Sequence, residues 1–196
     1  MRNSMVGMIT APAALLLTAA LLSGCDVDGT SANSAAPGTT TGTLAVEPTT
    51  PRDAHPKRGT ASNGAGLTVT GIRIGRQSGY DRVVYDLGGQ GTPGWVVQYA
   101  DRAVQDGSGK VVDVAGVSIL EVQILGSAYP FDSAVTPYSG PDPATDPSAP
   151  GIAGVYRTLV FEGTTQSFIG VNADRPGFAV STLSNPTRLV IDIYTA

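Results

Sequence analysis

One cysteine, one histidine, one tryptophan and sixteen carboxylates hold most of the chemistry open to this 196-residue chain. Nucleophilic catalysis needs a Ser or Cys beside a positioned base. The only base of the right type, His55, stands in a stretch of Thr, Ser, Ala, Gly and Pro with no aromatic residue. A histidine there lacks the partners and rigid surroundings that a triad, a pH switch or a metal site demands. The single Cys25 leaves no second thiol for a disulfide or a zinc site. No G-x-S-x-G elbow, S-x-x-K pair or phosphate loop occurs. A two-carboxylate glycosidase would need one selected acidic pair, and nothing in the sequence selects it. The chain is therefore read as a non-enzyme without a metal or cofactor.

Recognition is the other chemistry to weigh. Residues 129–151 form a long segment with six prolines, the carboxylates Asp132, Asp142 and Asp146, and the aromatics Tyr129, Phe131 and Tyr138. Proline stiffens such a loop and lowers the entropy lost on ordering it. Two readings stay open. Phe131 and Tyr138 form a lip for a glycan or a protein partner, or they tuck onto the edge of the core beneath a solvated crossover. The three Asp match no calcium-loop spacing. Trp95, after Pro93-Gly94, reads more simply as core than as a sugar platform.

Composition narrows the partners. A net charge of −4 with only twelve Lys and Arg argues against nucleic acid, which requires clustered cations. It gives equally little help on an anionic membrane. Any membrane attachment must come from residues 1–25. One Arg is followed by an uncharged run from Asn3 to Gly24, whose apolar centre, Ala11 to Leu22, is short for a membrane span and suits a signal peptide. Leu22-Ser23-Gly24-Cys25 resembles the lipobox of bacterial lipoproteins. The resemblance implies cleavage before Cys25, lipidation of its thiol and an anchor in the cell membrane on its extracytoplasmic face. The expected organisation is a signal peptide over 1–24, a lipidated disordered linker over 25–66 and one folded domain over 67–196. The linker's composition cannot bury enough apolar surface to order itself. As a flexible coil of about 40 residues it would span roughly 35 Å.

From Leu67 the pattern becomes alternation. Strands are expected over 67–74, 82–87, 95–100, 118–125, 154–162, 166–171, 177–182 and 188–194, with a hairpin of 103–105 and 110–114 around Asp106-Gly107-Ser108-Gly109. Many short strands between Gly- and Pro-rich turns predict an all-β sandwich. Two of these strands carry one phrase. In Arg82-Val83-Val84-Tyr85-Asp86-Leu87 and Arg188-Leu189-Val190-Ile191-Asp192-Ile193, one face holds Arg, Val and Asp and the other is wholly apolar or aromatic. Either the two are neighbours and exchange Arg–Asp pairs across a ladder, or they are two ordinary half-buried strands that happen to look alike.

Val69-Thr70-Gly71-Ile72-Arg73-Ile74, Asp81 to Leu87, and Asn185-Pro186-Thr187 through Ile193 resemble the AMIN domain of bacterial cell-wall amidases. From Leu67 onward the chain is most similar to the AMIN-like domain of small actinobacterial lipoproteins. The resemblance implies a non-catalytic β-sandwich implicated in peptidoglycan binding and envelope localisation. No amidase domain follows it here, and its inserted loops are long. Two functions are carried forward: an anchored module that binds peptidoglycan or another wall polymer, and a lipoprotein that docks on an envelope protein complex.

Overall fold

The computed structural model describes residues 49–195. In chain order the strands are β1 Lys57–Gly59, β2 Gly66–Gln77, β3 Tyr80–Gln90, β4 Gly94–Ala100, β5 Ser118–Leu125, β6 Ile152–Phe161, β7 Thr164–Val171, β8 Phe178–Leu183 and β9 Arg188–Ile193. They make two antiparallel sheets with strand orders β2-β3-β9-β8 and β1-β4-β5-β7-β6. Among the described residues there is no helix. The all-β sandwich expected from alternation is the fold.

Alternation decides which way each strand turns. Val83, Tyr85 and Leu87 of β3, with Leu189, Ile191 and Ile193 of β9, face Leu120, Val122 and Ile124 of β5 and Ile169 and Val171 of β7. These side chains are essentially buried, and each contributes about 1.5–3 kcal/mol by leaving water. Tyr85 crosses between the sheets: its hydroxyl donates to Ser167 Oγ at 3.0 Å, and that hydroxyl donates to the carbonyl of Tyr156 at 3.0 Å. Burial pushes the Tyr85 phenol above its ordinary pKa.

The repeated phrase does join neighbours. β3 and β9 lie side by side with Arg82 opposite Asp192 and Asp86 opposite Arg188. Only the first pair forms, with Arg82 Nε and Nη2 at 2.6 and 2.9 Å from the two Asp192 oxygens. Asp86 is taken by Arg73 of β2, at 2.7 and 2.8 Å. The reason is local. A register shift after Val69 sets Gly71 opposite Asp86, and a Cβ there would lie 2.9 Å from Asp86 Oδ2. The missing side chain leaves room for the carboxylate to meet Arg73 diagonally. Arg188 instead donates its Nε to the Pro186 carbonyl.

Two straps close the sides of the sandwich. Residues 49–59 form the first. Thr50 N–H donates to the Val180 carbonyl, Val180 N–H to Thr50 Oγ1, and Phe178 N–H to the Asp53 carbonyl, before the chain crosses to β4 as β1. Lys57 is buried. Its ammonium donates to the Asp53 carboxylate and to the carbonyls of Asp53 and His55, and lies 4.5 Å from the Phe178 ring centroid. The expected disordered linker is therefore corrected over residues 49–66. Backbone hydrogen bonds to strand edges, with one buried cation, hold the strap, and neither requires the apolar content that its composition lacks. The expected signal peptide and Cys25 lie outside the described residues.

The second strap is the proline-rich segment. Ala128 N–H donates to the Leu67 carbonyl and Tyr138 N–H to the Val69 carbonyl on β2; Ala144 and Val155 exchange two bonds on β6. Gly151 N–H then donates to Asp81, a fully buried carboxylate, at 2.7 Å. The expected hairpin at 103–114 shrinks to one bridge, Val104–Val111. Its segment instead covers the outward face of β7, where Gln166 donates to the Val104 carbonyl and accepts from Asp106 N–H. Gly170 is required there, because any Cβ would collide with the Ala115 carbonyl.

Candidate functional site

Tyr138 is the centre of the surface that the second strap builds. Its backbone is pinned to β2 through Val69, and its hydroxyl donates to the Pro141 carbonyl at 3.1 Å. Gly140 packs so closely on the ring that a Cβ there would overlap it. The side chain is half-buried against the core. Desolvation, and next the charge of Asp142, raise its pKa above the ordinary phenol value. The strap thus fixes Tyr138 while leaving part of it accessible.

Two hollows share that residue in their lining. One, of about 210 Å³, is lined by Ile72, Tyr138, Pro141, Asp142, Val155 and Leu159. The other, of about 220 Å³, is lined by Tyr129, Pro130, Pro137, Tyr138, Leu159 and Val160, among others. A third, about 210 Å³, continues past Leu159 and Val160 to Gln105, Asp106, Phe161 and Gln166. Because all three are lined by Leu159, they adjoin as one groove between the strap and the end of β6. Ile72, Leu159 and Val160 give it apolar surface beside polar groups of the strap. Its rim carries Asp142 and Asp106, and burial, then the charge of Glu121, raises the Asp106 pKa.

The two aromatics singled out by sequence part company. Tyr138 lines the groove. Phe131 lies outside its lining, 82% exposed, and stacks on Tyr129 with ring centroids 5.1 Å apart and planes 9° from parallel. Tyr129 is the link, since it lines the groove and its hydroxyl accepts from Glu162 N–H at 3.2 Å. The segment closes the sandwich edge, with Tyr138 packed on the core as the crossover reading expects and Phe131 left exposed.

The acidic residues do separate work. Asp146 Oδ1 accepts from Ser148 N–H at 2.8 Å, which holds its carboxyl below the usual range. Among the described residues no three His, Cys, Asp or Glu converge on a point that could hold a metal ion. His55 is exposed beside Asp53. Trp95 points between the sheets and packs on the core, as its simpler reading expects. Cys25 lies outside the described residues.

Sequence reasoning missed Leu159 and Phe161. An extra residue in β6 between Tyr156 and Leu159 shifts the register, so Leu159 pairs with Gln166 on the outward side. Without that insertion, strict alternation from the buried Val155 would carry Leu159 into the core.

Comparison with known proteins yields one family: the model described as the AMIN-like domain matches residues 67–195. No curated protein and no solved structure matches the chain. The match covers both sheets except β1, and takes in the second strap and its groove. A two-sheet antiparallel fold joined to a family match over most of the chain places this protein in the AMIN-like domain family.

Proposed function

We propose that this chain is a non-catalytic module of the bacterial cell envelope, anchored in the membrane through Cys25, that binds peptidoglycan or another wall polymer along the Tyr138 groove. The family is associated with peptidoglycan binding and envelope proteins, which sets the ligand class. The observation that carries the assignment to this groove is its lining: three adjoining hollows meet at Leu159 and bring Tyr138, Tyr129 and Phe161 to one surface. Tyr138, Tyr129 and Leu159 supply apolar contact, and the proline-rich strap holds them in place beforehand, which lowers the ordering cost of binding.

The test is co-sedimentation of the full chain, in mild detergent, with purified peptidoglycan. The protein pellets with the polymer. Leu159→Glu and Tyr138→Ala each weaken pelleting by about 5- to 30-fold, the loss expected for one contact worth about 1–2 kcal/mol. Failure to pellet, with one envelope protein recovered by crosslinking, would support docking on a protein complex in its place. The anchor has its own readout: Cys25→Ala leaves an unprocessed precursor or releases the protein from the membrane fraction. Normal processing and fractionation of that variant would refute it.

A further inference from the structure

Five connections gather at one end of the sandwich: 60–65, 91–93, 162–163, 184–187 and the opening of the second strap, 126–132. They are tied together. Ser62 N–H donates to the Thr92 carbonyl and Thr92 N–H to Ser62 Oγ, while Ser127 N–H donates to the Gly163 carbonyl. The only charged residues in these five stretches are Asp132 and Glu162. The other end differs: two connections there, 101–117 and 172–177, carry seven charged residues.

The nearly uncharged end holds out one ring. Phe131 is the most exposed large apolar side chain among the described residues. A tight turn puts it at a tip, where the N–H groups of Asp132 and Ser133 both donate to the Tyr129 carbonyl, at 2.9 and 3.0 Å. The ring stacks on Tyr129, not on the core, and the Tyr129 hydroxyl is itself fixed by Glu162 N–H. An aromatic side chain is thus held in water, where burial would stabilise it.

The chain leaves the fold toward this same end. The first strap runs antiparallel to β8, with Asp53 beside Phe178 and Thr50 bonded to Val180. Followed backward, it passes from Phe178 toward Leu183 and reaches Thr49 heading for the 184–187 turn. Cys25 lies twenty-four residues before Thr49, a reach of at most about 85 Å.

We propose that this end of the sandwich rests on the lipid bilayer, with Phe131 seated at the boundary between headgroups and acyl chains. The inference rests on the lipid anchor at Cys25 proposed above. An anchored domain stays within reach of one membrane, so a weak contact acts at high effective concentration. One exposed ring is then enough, although it would not hold a free protein on lipid. The uncharged turns approach the surface without stripping water from ions. The end carries no cation, so the contact needs no anionic lipid.

The test uses the full chain, purified from membranes in detergent and returned to phosphatidylcholine vesicles. Lipids brominated on their acyl chains quench an indole that touches them. Phe131→Trp adds an indole at the tip, and Ser78→Trp adds one in the exposed turn at the other end. The parent, with Trp95 alone, gives the background. Both altered positions are exposed, and matched urea midpoints show that the variants fold. The added emission of Phe131→Trp falls by about half or more in brominated vesicles, as expected for a ring seated at that boundary, and that of Ser78→Trp does not. Equal quenching of the two variants, in chains that float with the vesicles, overturns the docking and leaves the anchor standing. Chains that fail to float refute the anchor and the docking with it.

Discussion

Two arginine–aspartate pairs on the same sheet differ chiefly in burial, although Arg82 also donates to the Tyr80 hydroxyl at 3.2 Å. Arg82–Asp192 and Arg73–Asp86 are both two-pronged, with contacts of 2.6 and 2.9 Å in one and 2.7 and 2.8 Å in the other. Their exposures differ. The Arg82 and Asp192 side chains are 34% and 10% accessible; those of Arg73 and Asp86 are 57% and 28%. Two unit charges about 4 Å apart attract by roughly 4 kcal/mol at an effective dielectric of 20 and about 1 kcal/mol in water. Desolvation cancels most of that attraction, so what matters is the charge left behind when one partner goes. Arg82→Met strands Asp192 in a nearly buried position. A fully buried orphan costs about 3–5 kcal/mol, and partial access reduces this to about 2–3 kcal/mol. Arg73→Met leaves Asp86 within reach of water and costs under about 1 kcal/mol. The double variant Arg82→Met, Asp192→Leu removes both charges and returns to within about 1 kcal/mol of the parent. Urea unfolding followed by Trp95 fluorescence gives the midpoints, with an unchanged slope certifying that stability alone moved. In a thermal scan the Arg82 variant melts about 8–12 °C lower. Salt at 1 M shrinks the Arg73 effect and spares the Arg82 effect. If Arg73→Met costs as much as Arg82→Met, or the double variant costs the sum of its singles, burial is not what separates the pairs.

Gly151→Ala places a Cβ 2.5 Å from Asp81 Oδ2 and against Thr195; by crowding a buried carboxylate off its backbone donor, it lowers stability by about 2–3 kcal/mol in the same urea assay. The first strap has a pH signature. The Lys57 ammonium, then the His55 N–H, hold the Asp53 carboxyl below its ordinary value. A depressed folded pKa means that its contribution is complete above the unfolded value of about 4 and is lost as pH falls through the folded value. The amide protection factors at Phe178 and Val180, the two β8 donors that the strap accepts from, therefore stay high at neutral pH and fall, relative to the intrinsic exchange rate at each pH, only below about pH 4. In Lys57→Met the protection weakens already at neutral pH.

Eight of the nine strands among the described residues were legible because a half-buried strand must alternate, and alternation survives in the sequence. β5 is the clearest case: every second residue from Ser118 to Ile124 is buried. What alternation cannot express is a change of register. Gly71 and the insertion before Leu159 each move one partner by one position, and those shifts decide that Arg73 captures Asp86 and that Leu159 faces the groove. β1 was illegible for another reason. Three residues are too few for a pattern, and the strap's anchors are backbone groups and a lysine whose burial nothing in a Thr- and Pro-rich stretch announces.

The straps bear on where the domain begins. A two-sheet sandwich has four edge strands, each offering unpaired backbone groups to any extended chain. Here β2 and β6 share one side and are bridged by 127–151, while β4 and β8 share the other and are bridged by 49–59. The first bridge lies within the family match and the second lies wholly before it. The family boundary at Leu67 thus cuts between β4 and the strand that covers its edge. Charged or proline-bearing edges could have served the same end, but β8 offers Phe178-Ala179-Val180, which invites pairing. Thr50, Asp53 and Lys57 answer that edge with hydrogen bonds, a bridging carbonyl and a cation over the Phe178 ring. The folded domain therefore includes the strap, which lies before the residues that the family model matches.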